Sequence, residues 1–240
     1  MIEAIDLTKR YPTGTLALDA LNLRVETGEI YCLLGAKGAG KTTAVNLFLG
    51  FQAPTAGRAR IAGIDVQEEP LRAKAQVAYL ADTTAFYPRL TLLQNLRFFA
   101  RLGGRSDPGL HDCKMALREV GLPELDFNRR VSELGPGEVR KLGLAAALMK
   151  EATALLLDEP LSGLDPKAAA EVVELLAEMR EQGKAILFTM QDLFWARQLG
   201  DRVGILQEGR QVLIRTREEL RYENLERLYL DHMRGARVPR

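Results

Sequence analysis

The chain has 240 residues, 47% hydrophobic and 27% charged, with 33 Lys and Arg against 32 Asp and Glu for a net charge of +1. That apolar content is ample for a packed interior and excludes a disordered chain, while the near-cancelling charges exclude an overall field that would draw it to nucleic acid or anionic lipid. The longest apolar stretches, such as residues 142–149, fall well short of the roughly 20 residues that cross a bilayer, and residues 1–15 do not read as a signal peptide, so the chain is expected to be soluble by itself.

Residues 2–11 and 17–25 read as short strands joined by a turn at Pro12, Thr13 and Gly14. A Gly28-Glu29 turn leads into an apolar run at 30–34, a strand that delivers Gly35-Ala36-Lys37-Gly38-Ala39-Gly40-Lys41-Thr42 to a helix-like run at 43–49. Strand, glycine-rich loop and helix in that order describe a phosphate cradle. Glycines let the chain curl so that backbone N–H groups point inward at an anion, and the helix adds its positive dipole end. Lys41 supplies a mobile cation for the β- and γ-phosphates, and the Thr42 hydroxyl is placed to ligate the Mg2+ that accompanies a nucleoside triphosphate. The plainer alternative is a glycine-rich turn carrying a chance lysine.

A further short strand covers 59–61, closed by Gly63, and 76–80 is a buried strand candidate; with the strands before them these suggest a small antiparallel layer beside a parallel core. From 91 to 149 the pattern turns helical in three stretches. Leu92, Leu93, Leu96 and Phe99 share one face, and Asp107-Pro108 reads as a cap and first turn. Strand patterns resume at 154–157, 185–188 and 203–206 with helices between them, as parallel βαβ units require. The expected organisation is a discontinuous core (1–85 and 150–215), a helical subdomain (86–149) and an amphipathic tail (216–240) helical to about residue 233. Cys32 and Cys113 have no metal-ligand neighbour at short spacing and read as core fillers in a reducing cytoplasm. His111 and His232 read as solvated, and Phe194 and Trp195 as packing residues. Phe86, Tyr87 and Pro88 read either as a cap on the helical insert or as an interaction surface.

The run at 154–157 ends in Asp158-Glu159, two carboxylates at the C-terminal end of a buried strand, where open α/β sheets bind ligands. Alone, Asp-Glu after a strand is often a loop start with solvated acids. Beside a complete phosphate loop, Asp158 is expected to hold Mg2+ through its water shell and Glu159 to polarise a water for in-line attack on the γ-phosphate.

On these residues the chain resembles the ATP-binding subunits of ABC transporters over essentially its whole length. The resemblance implies an α/β fold: a P-loop NTPase (RecA-like) core with an antiparallel β subdomain and a helical insert. It implies that Tyr11 stacks on adenine and that Gly35, Ala36, Lys37, Gly38, Ala39, Gly40, Lys41 and Thr42 form Walker A, followed by Thr43 in the same nucleotide site. Residues 155–158 stand as Walker B with Glu159 as general base, and Ser162, Gly163, Leu164 and Asp165 as the D-loop. Leu225 to Leu230 looks like the short C-terminal helix of stand-alone ATPase subunits from multidrug- or antibiotic-type exporters. In that family two such domains close head to tail around two ATP molecules, each held by Walker A of one subunit and the signature loop of the other.

The departures from the family pattern are specific. Where it has Leu-Ser-Gly-Gly-Gln, this chain has Leu134, Gly135, Pro136, Gly137 and Glu138, so the serine hydroxyl that bonds the γ-phosphate is missing; such a bond to a charged group is worth about 1.5–3 kcal/mol. Pro136 also removes an N–H, though it is well tolerated as the first residue of a helix. Gln191 stands where the family has its switch histidine, and can bond a phosphate or a water without carrying charge. Asp82 replaces glutamine or glutamate and either approaches Mg2+ or repels the γ-phosphate. Ala36 and Lys37 occupy spacer positions, Lys37 adding a cation near a partner subunit.

The resemblance implies MgATP as cofactor, a homo- or heterodimer of ATPase subunits, separate transmembrane permease subunits, no nucleic-acid partner and a place on the cytoplasmic face of the membrane. With Glu159 and the loop kept and the other motifs drifted, tight binding with slow hydrolysis is expected of an exporter subunit. Two alternatives are a nucleotide-gated regulatory subunit that does not cleave ATP and a soluble non-transport ATPase.

Overall fold

The computed structural model describes residues 1–82 and 85–235, with no side-chain statement for 233–235. Its four-stranded antiparallel sheet is built from β1 (Ile2–Arg10), β2 (Leu16–Val25), β4 (Ala56–Ile61) and β5 (Ile64–Asp65) in the order β2-β1-β4-β5. The six-stranded sheet contains β3 (Ile30–Leu34), β6 (Val77–Leu80), β7 (Ala154–Asp158), β8 (Ala185–Met190), β9 (Arg202–Gln207) and β10 (Arg210–Thr216) in the order β10-β9-β3-β8-β7-β6. Neighbours from β9 to β6 run parallel, and β10 closes the edge antiparallel to β9.

Every residue of β3, β7 and β8 is buried, and all but Asp158 and Thr189 belong to the apolar runs that a parallel sheet covered on both faces demands. Alternation along each strand divides the interior in two. Cys32, Leu34, Leu155, Leu157 and Phe188 face a cluster that also takes in Leu92, Leu96, Leu117, Leu142 and Leu176. Tyr31, Leu33, Leu156 and Leu187 face a second cluster with Leu7, Leu21, Ile61, Val45 and Phe48. The sheet is thereby clamped between helices on one side and the antiparallel layer with the helix after the loop on the other.

The helices are α1 (Lys41–Phe48), α2 (Pro70–Ala75), α3 (Leu92–Leu102), α4 (Leu110–Glu119), α5 (Pro136–Met149), α6 (Pro166–Glu181), α7 (Leu193–Leu199) and α8 (Leu225–Gly235). Thr91 starts α3 with a reciprocal cap: its hydroxyl accepts from Gln94 N at 3.2 Å and its own N–H donates to Gln94 Oε1 at 2.9 Å.

Five features differ from the sequence pattern or go beyond it. Asp107-Pro108 does not start a helix; Gly109 caps α4, and the Asp107 carboxylate instead reaches Arg97 and Arg101 of α3 at 3.0 and 3.4 Å. These two arginines hold Asp107 below the usual carboxylate range. Strand β10 was not foreseen, because alternate exposure breaks its apolar pattern at the sheet edge. The tail is not helical from 216: Glu219 folds back to accept from Thr216 N at 2.7 Å, and α8 begins only at Leu225. Phe194 is 57% exposed and touches Trp195 edge-on, so it is no packing residue. His232 is half-buried with Nδ1 2.7 Å from Leu228 O, whereas His111 is exposed. Cys32 and Cys113 are both buried, as core fillers should be. The basic end of the tail, 236–240, lies outside the described residues.

Candidate nucleotide site

Strand β3 pairs with β8 through Leu34 and Met190, and Gly35 leaves the sheet with its N–H still bonded to Met190 O at 3.2 Å. Two glycines are then dictated by space. A Cβ on Gly35 would lie 2.6 Å from Leu206 O, and one on Gly40 would lie 2.4 Å from Ala17 O, where the backbone also has φ 110°. The loop is pinched between β9 and β2, and it emerges as α1 with Lys41 as first residue.

Lys41 is buried at 6% exposure and donates to Gly35 O at 2.7 Å and Ala36 O at 3.2 Å. Its Nζ stands 3.4 Å from Glu159 Oε1. A buried ammonium held by two carbonyls and one carboxylate is a cation parked on exchangeable acceptors. Thr42 donates from Oγ1 to Asp158 Oδ2 at 3.3 Å. Asp158, the last residue of β7, is 7% exposed and opposes Thr189 of β8, whose hydroxyl donates to Asp158 Oδ1. Glu159 sits in the left-handed region at φ 48°, and its Oε1 also accepts from Gln191 Nε2 at 3.1 Å.

These groups open on one cleft of about 650 Å³ lined by Lys37, Gly38, Gly40, Lys41, Thr42 and Thr43 together with Asp82, Asp158, Glu159 and Gln191. Thr15 to Ala17 on one side and Glu208 and Gly209 on the other also line it. The sequence had no signal for this second set, which β2 and the β9–β10 turn bring to the loop by tertiary packing alone. Asp82 arrives at the end of β6. Its carboxylate is half-exposed, while Arg140 of α5 donates to Ala81 O at 2.9 Å and Asp82 O at 3.1 Å, with the guanidinium 4.0 Å from Asp82 Oδ1. Burial pulls the Arg140 pKa below the usual value, and the Asp82 charge opposes that fall.

The Thr42 hydroxyl and the Asp158 and Asp82 carboxylates are hard oxygen donors on one cleft, the set that suits Mg2+. Among the described residues no group of three or more His, Cys, Asp or Glu could hold a metal ion by itself, so phosphate and water oxygens would complete the shell.

Three parts of the reading lie elsewhere. Tyr11 does not line the cleft; its hydroxyl donates to Gln52 Oε1 at 2.9 Å and lies 3.4 Å from Thr43 Oγ1, tying the ring to the margin through α1. Gly135 caps α5 without a side chain, Pro136 is its first residue, and Glu138 turns back so that Oε2 accepts from Gly135 N at 2.8 Å. Arg129 donates to Glu138 Oε1 at 2.9 Å. Asp165 caps α6 by accepting from Ala168 N at 2.9 Å, after the exposed Ser162 and Gly163 and the half-buried Leu164. Residues Gly135 to Glu138 and Asp165 line a depression of about 260 Å³ separate from the phosphate cleft. Within one chain, residues 37–43 and residues 135–138 line different depressions.

The family model for the ABC transporter matches residues 18–162. The chain is 37% identical over 211 residues to the bacitracin transport ATP-binding protein of Enterococcus faecalis, covering 87% of this chain and 67% of that one. It is 34% identical to the Nod factor export ATP-binding protein I of Rhizobium etli, covering 88% of this chain and 66% of that one. The matches therefore span about two thirds of these relatives' own length. A solved ATP-binding subunit of an ABC transporter superposes with a TM-score of 0.83 at 28% identity, covering 96% of this chain and 98% of that one. A glycine-rich loop ending in Lys41 and Thr42, two acids across from it and relatives of this similarity lead to one assignment: the chain belongs to the ABC transporter family, as an ATP-binding subunit with a P-loop NTPase core.

Proposed function

We propose that the chain binds MgATP in the 650 Å³ cleft, hydrolyses it slowly, and so drives export through separate membrane subunits. The observation that carries this reading is the convergence of Lys41, Thr42, Asp158 and Glu159 on one cleft. Lys41 would exchange the Gly35 and Ala36 carbonyls for β- and γ-phosphate oxygens, and Thr42 with Asp158 and Asp82 would hold Mg2+. When bound, the metal would neutralise charge gathering on the phosphates. Glu159 would accept the proton of the attacking water, and Gln191 would keep its carboxylate oriented. Tyr11 would offer its ring to adenine at the margin of the site.

Gly135 to Glu138 and Asp165 line a depression separate from this cleft, which favours a second ATPase subunit presenting its signature and D-loop in trans. Here Gly135 has no hydroxyl to offer and Glu138 occupies the helix start, so this chain would contribute weakly to a partner's nucleotide. The helices of 86–149 would form a subdomain facing the permease, with the core in 1–85 and 150–215 and the tail in 216–240. No helix among the described residues is long and apolar enough to cross a membrane, which suits separate permease subunits. Export is favoured by the relatives named for bacitracin transport and Nod factor export.

Single-turnover phosphate release, measured beside MgATP binding on wild type and Glu159→Gln, tests the reading. Slow release by wild type, abolished in Glu159→Gln with binding kept, is expected. Wild type that binds MgATP and never releases phosphate would establish the regulatory alternative favoured by the missing signature hydroxyl. Absence of binding would refute both.

A further inference from the structure

Thr189 is the most completely enclosed polar side chain near the two acids, at 0% exposure. It stands on β8 directly opposite Asp158 in the parallel register. Its hydroxyl uses both of its capacities: the proton goes to Asp158 Oδ1, and the oxygen accepts the Glu159 N–H at 3.2 Å. The same N–H is shared with Thr189 O at 3.1 Å. Asp158 is left with Oδ2 turned to Thr42 Oγ1 at 3.3 Å, on the cleft side.

The geometry points to Thr189 as a positioning residue that orients both acids at once: one hydroxyl fixes which Asp158 oxygen faces the metal and anchors the left-handed turn that aims Glu159. The inference rests on the MgATP reading of the cleft.

A carboxylate can rotate about its terminal bond, and two equivalent oxygens would otherwise compete for the metal. Tying Oδ1 to a hydroxyl that cannot move, because every side of Thr189 is packed, removes that freedom. Outer-shell bonds of this kind set metal affinity by orienting the ligand. Glu159 adds a second need, because a non-glycine residue at φ 48° persists only where neighbours hold it. Its N–H is held twice by one residue, so the aim of the general base and that of the metal carboxylate are mechanically linked.

The test compares wild type, Thr189→Val, which keeps the shape and loses the hydroxyl, and Thr189→Ser, which restores it. Binding of ATP is measured by calorimetry with and without Mg2+, and melting temperature is measured on the same samples. For Thr189→Val the Mg2+-dependent gain in ATP affinity is expected to fall by about 10- to 100-fold, with metal-free ATP affinity unchanged, and for Thr189→Ser the gain is expected to return. If Thr189→Val fails to fold, Thr189→Cys supplies a weaker donor of similar shape and is expected to give an intermediate gain. A variant that keeps the wild-type Mg2+ gain, or loses metal-free and Mg2+-bound affinity equally, overturns the inference. Wild type that binds ATP with no Mg2+ gain overturns the reading of the cleft, and the role of Thr189 falls with it.

Discussion

Lys41→Met removes the charge of the cradle while filling its space, and the structure sets the size of two opposite effects. Lys41 has three acceptors, Gly35 O, Ala36 O and Glu159 Oε1. Losing them is offset by no longer burying an ammonium, and Glu159, 20% exposed, keeps its Gln191 bond, so no buried charge is orphaned. The net change in stability is about 1 kcal/mol or less, or roughly 2–4 °C for a chain of this size. Binding is another matter. Two charge-assisted bonds to phosphate are worth about 1.5–3 kcal/mol each, and after subtracting the contacts Lys41 already had, the loss is about 3 kcal/mol, roughly 150-fold in affinity. At ATP equal to about 100 times the wild-type Kd, wild type gains about 2.7 kcal/mol, a rise of about 5–11 °C. At that concentration the variant gains about 0.3 kcal/mol, near 1 °C. Thermal unfolding with and without MgATP measures both. A variant with the full nucleotide shift would refute the cradle, and one whose nucleotide-free melting point collapsed would make Lys41 a structural counter-ion.

Gly40→Ala forces a Cβ to 2.4 Å from Ala17 O at φ 110°, so backbone strain alone costs about 1–3 kcal/mol, and calorimetry should find no ATP binding at concentrations that saturate wild type. In Gly137→Ala the new Cβ meets Ala168 Cβ at 2.8 Å, where α5 starts against α6. Urea unfolding should register a loss of about 1–3 kcal/mol, partly recovered when Ala168→Gly is added; no recovery would discount the clash. Arg140→Met deletes the bonds to the Ala81 and Asp82 carbonyls and is expected to destabilise by about 1–3 kcal/mol in the same assay. Gln191→Ala leaves the Glu159 carboxylate with Lys41 alone and should slow phosphate release by roughly 10- to 100-fold with MgATP affinity unchanged; an equal loss in binding would point instead to a phosphate contact.

How far the chain could be read in advance follows from how local each signal is. The loop at 35–42 was legible because glycine spacing, the lysine and the threonine lie together, and the structure opens Lys41, Thr42, Asp158, Glu159, Gln191 and Asp82 on one cleft. Strands β3, β7 and β8 were legible because burial on both faces leaves long apolar runs. Edge strand β10 and the start of α4 were not, since half-exposed alternation resembles a loop and Asp107 had two competing uses, a helix cap or an ion pair.

Sequence by itself determined which groups gather in the loop at 35–42 and at the end of β7, because they are near neighbours in the chain. Only the tertiary structure decided which distant groups complete them. Thr189 lies 31 residues from Asp158 and reaches it because parallel register sets the two side by side. Arg140 lies 58 residues from Asp82 and meets it because α5 packs under the end of β6. Such pairings depend on strand order and helix packing, and these are set by burial summed over the whole chain rather than by any segment of it.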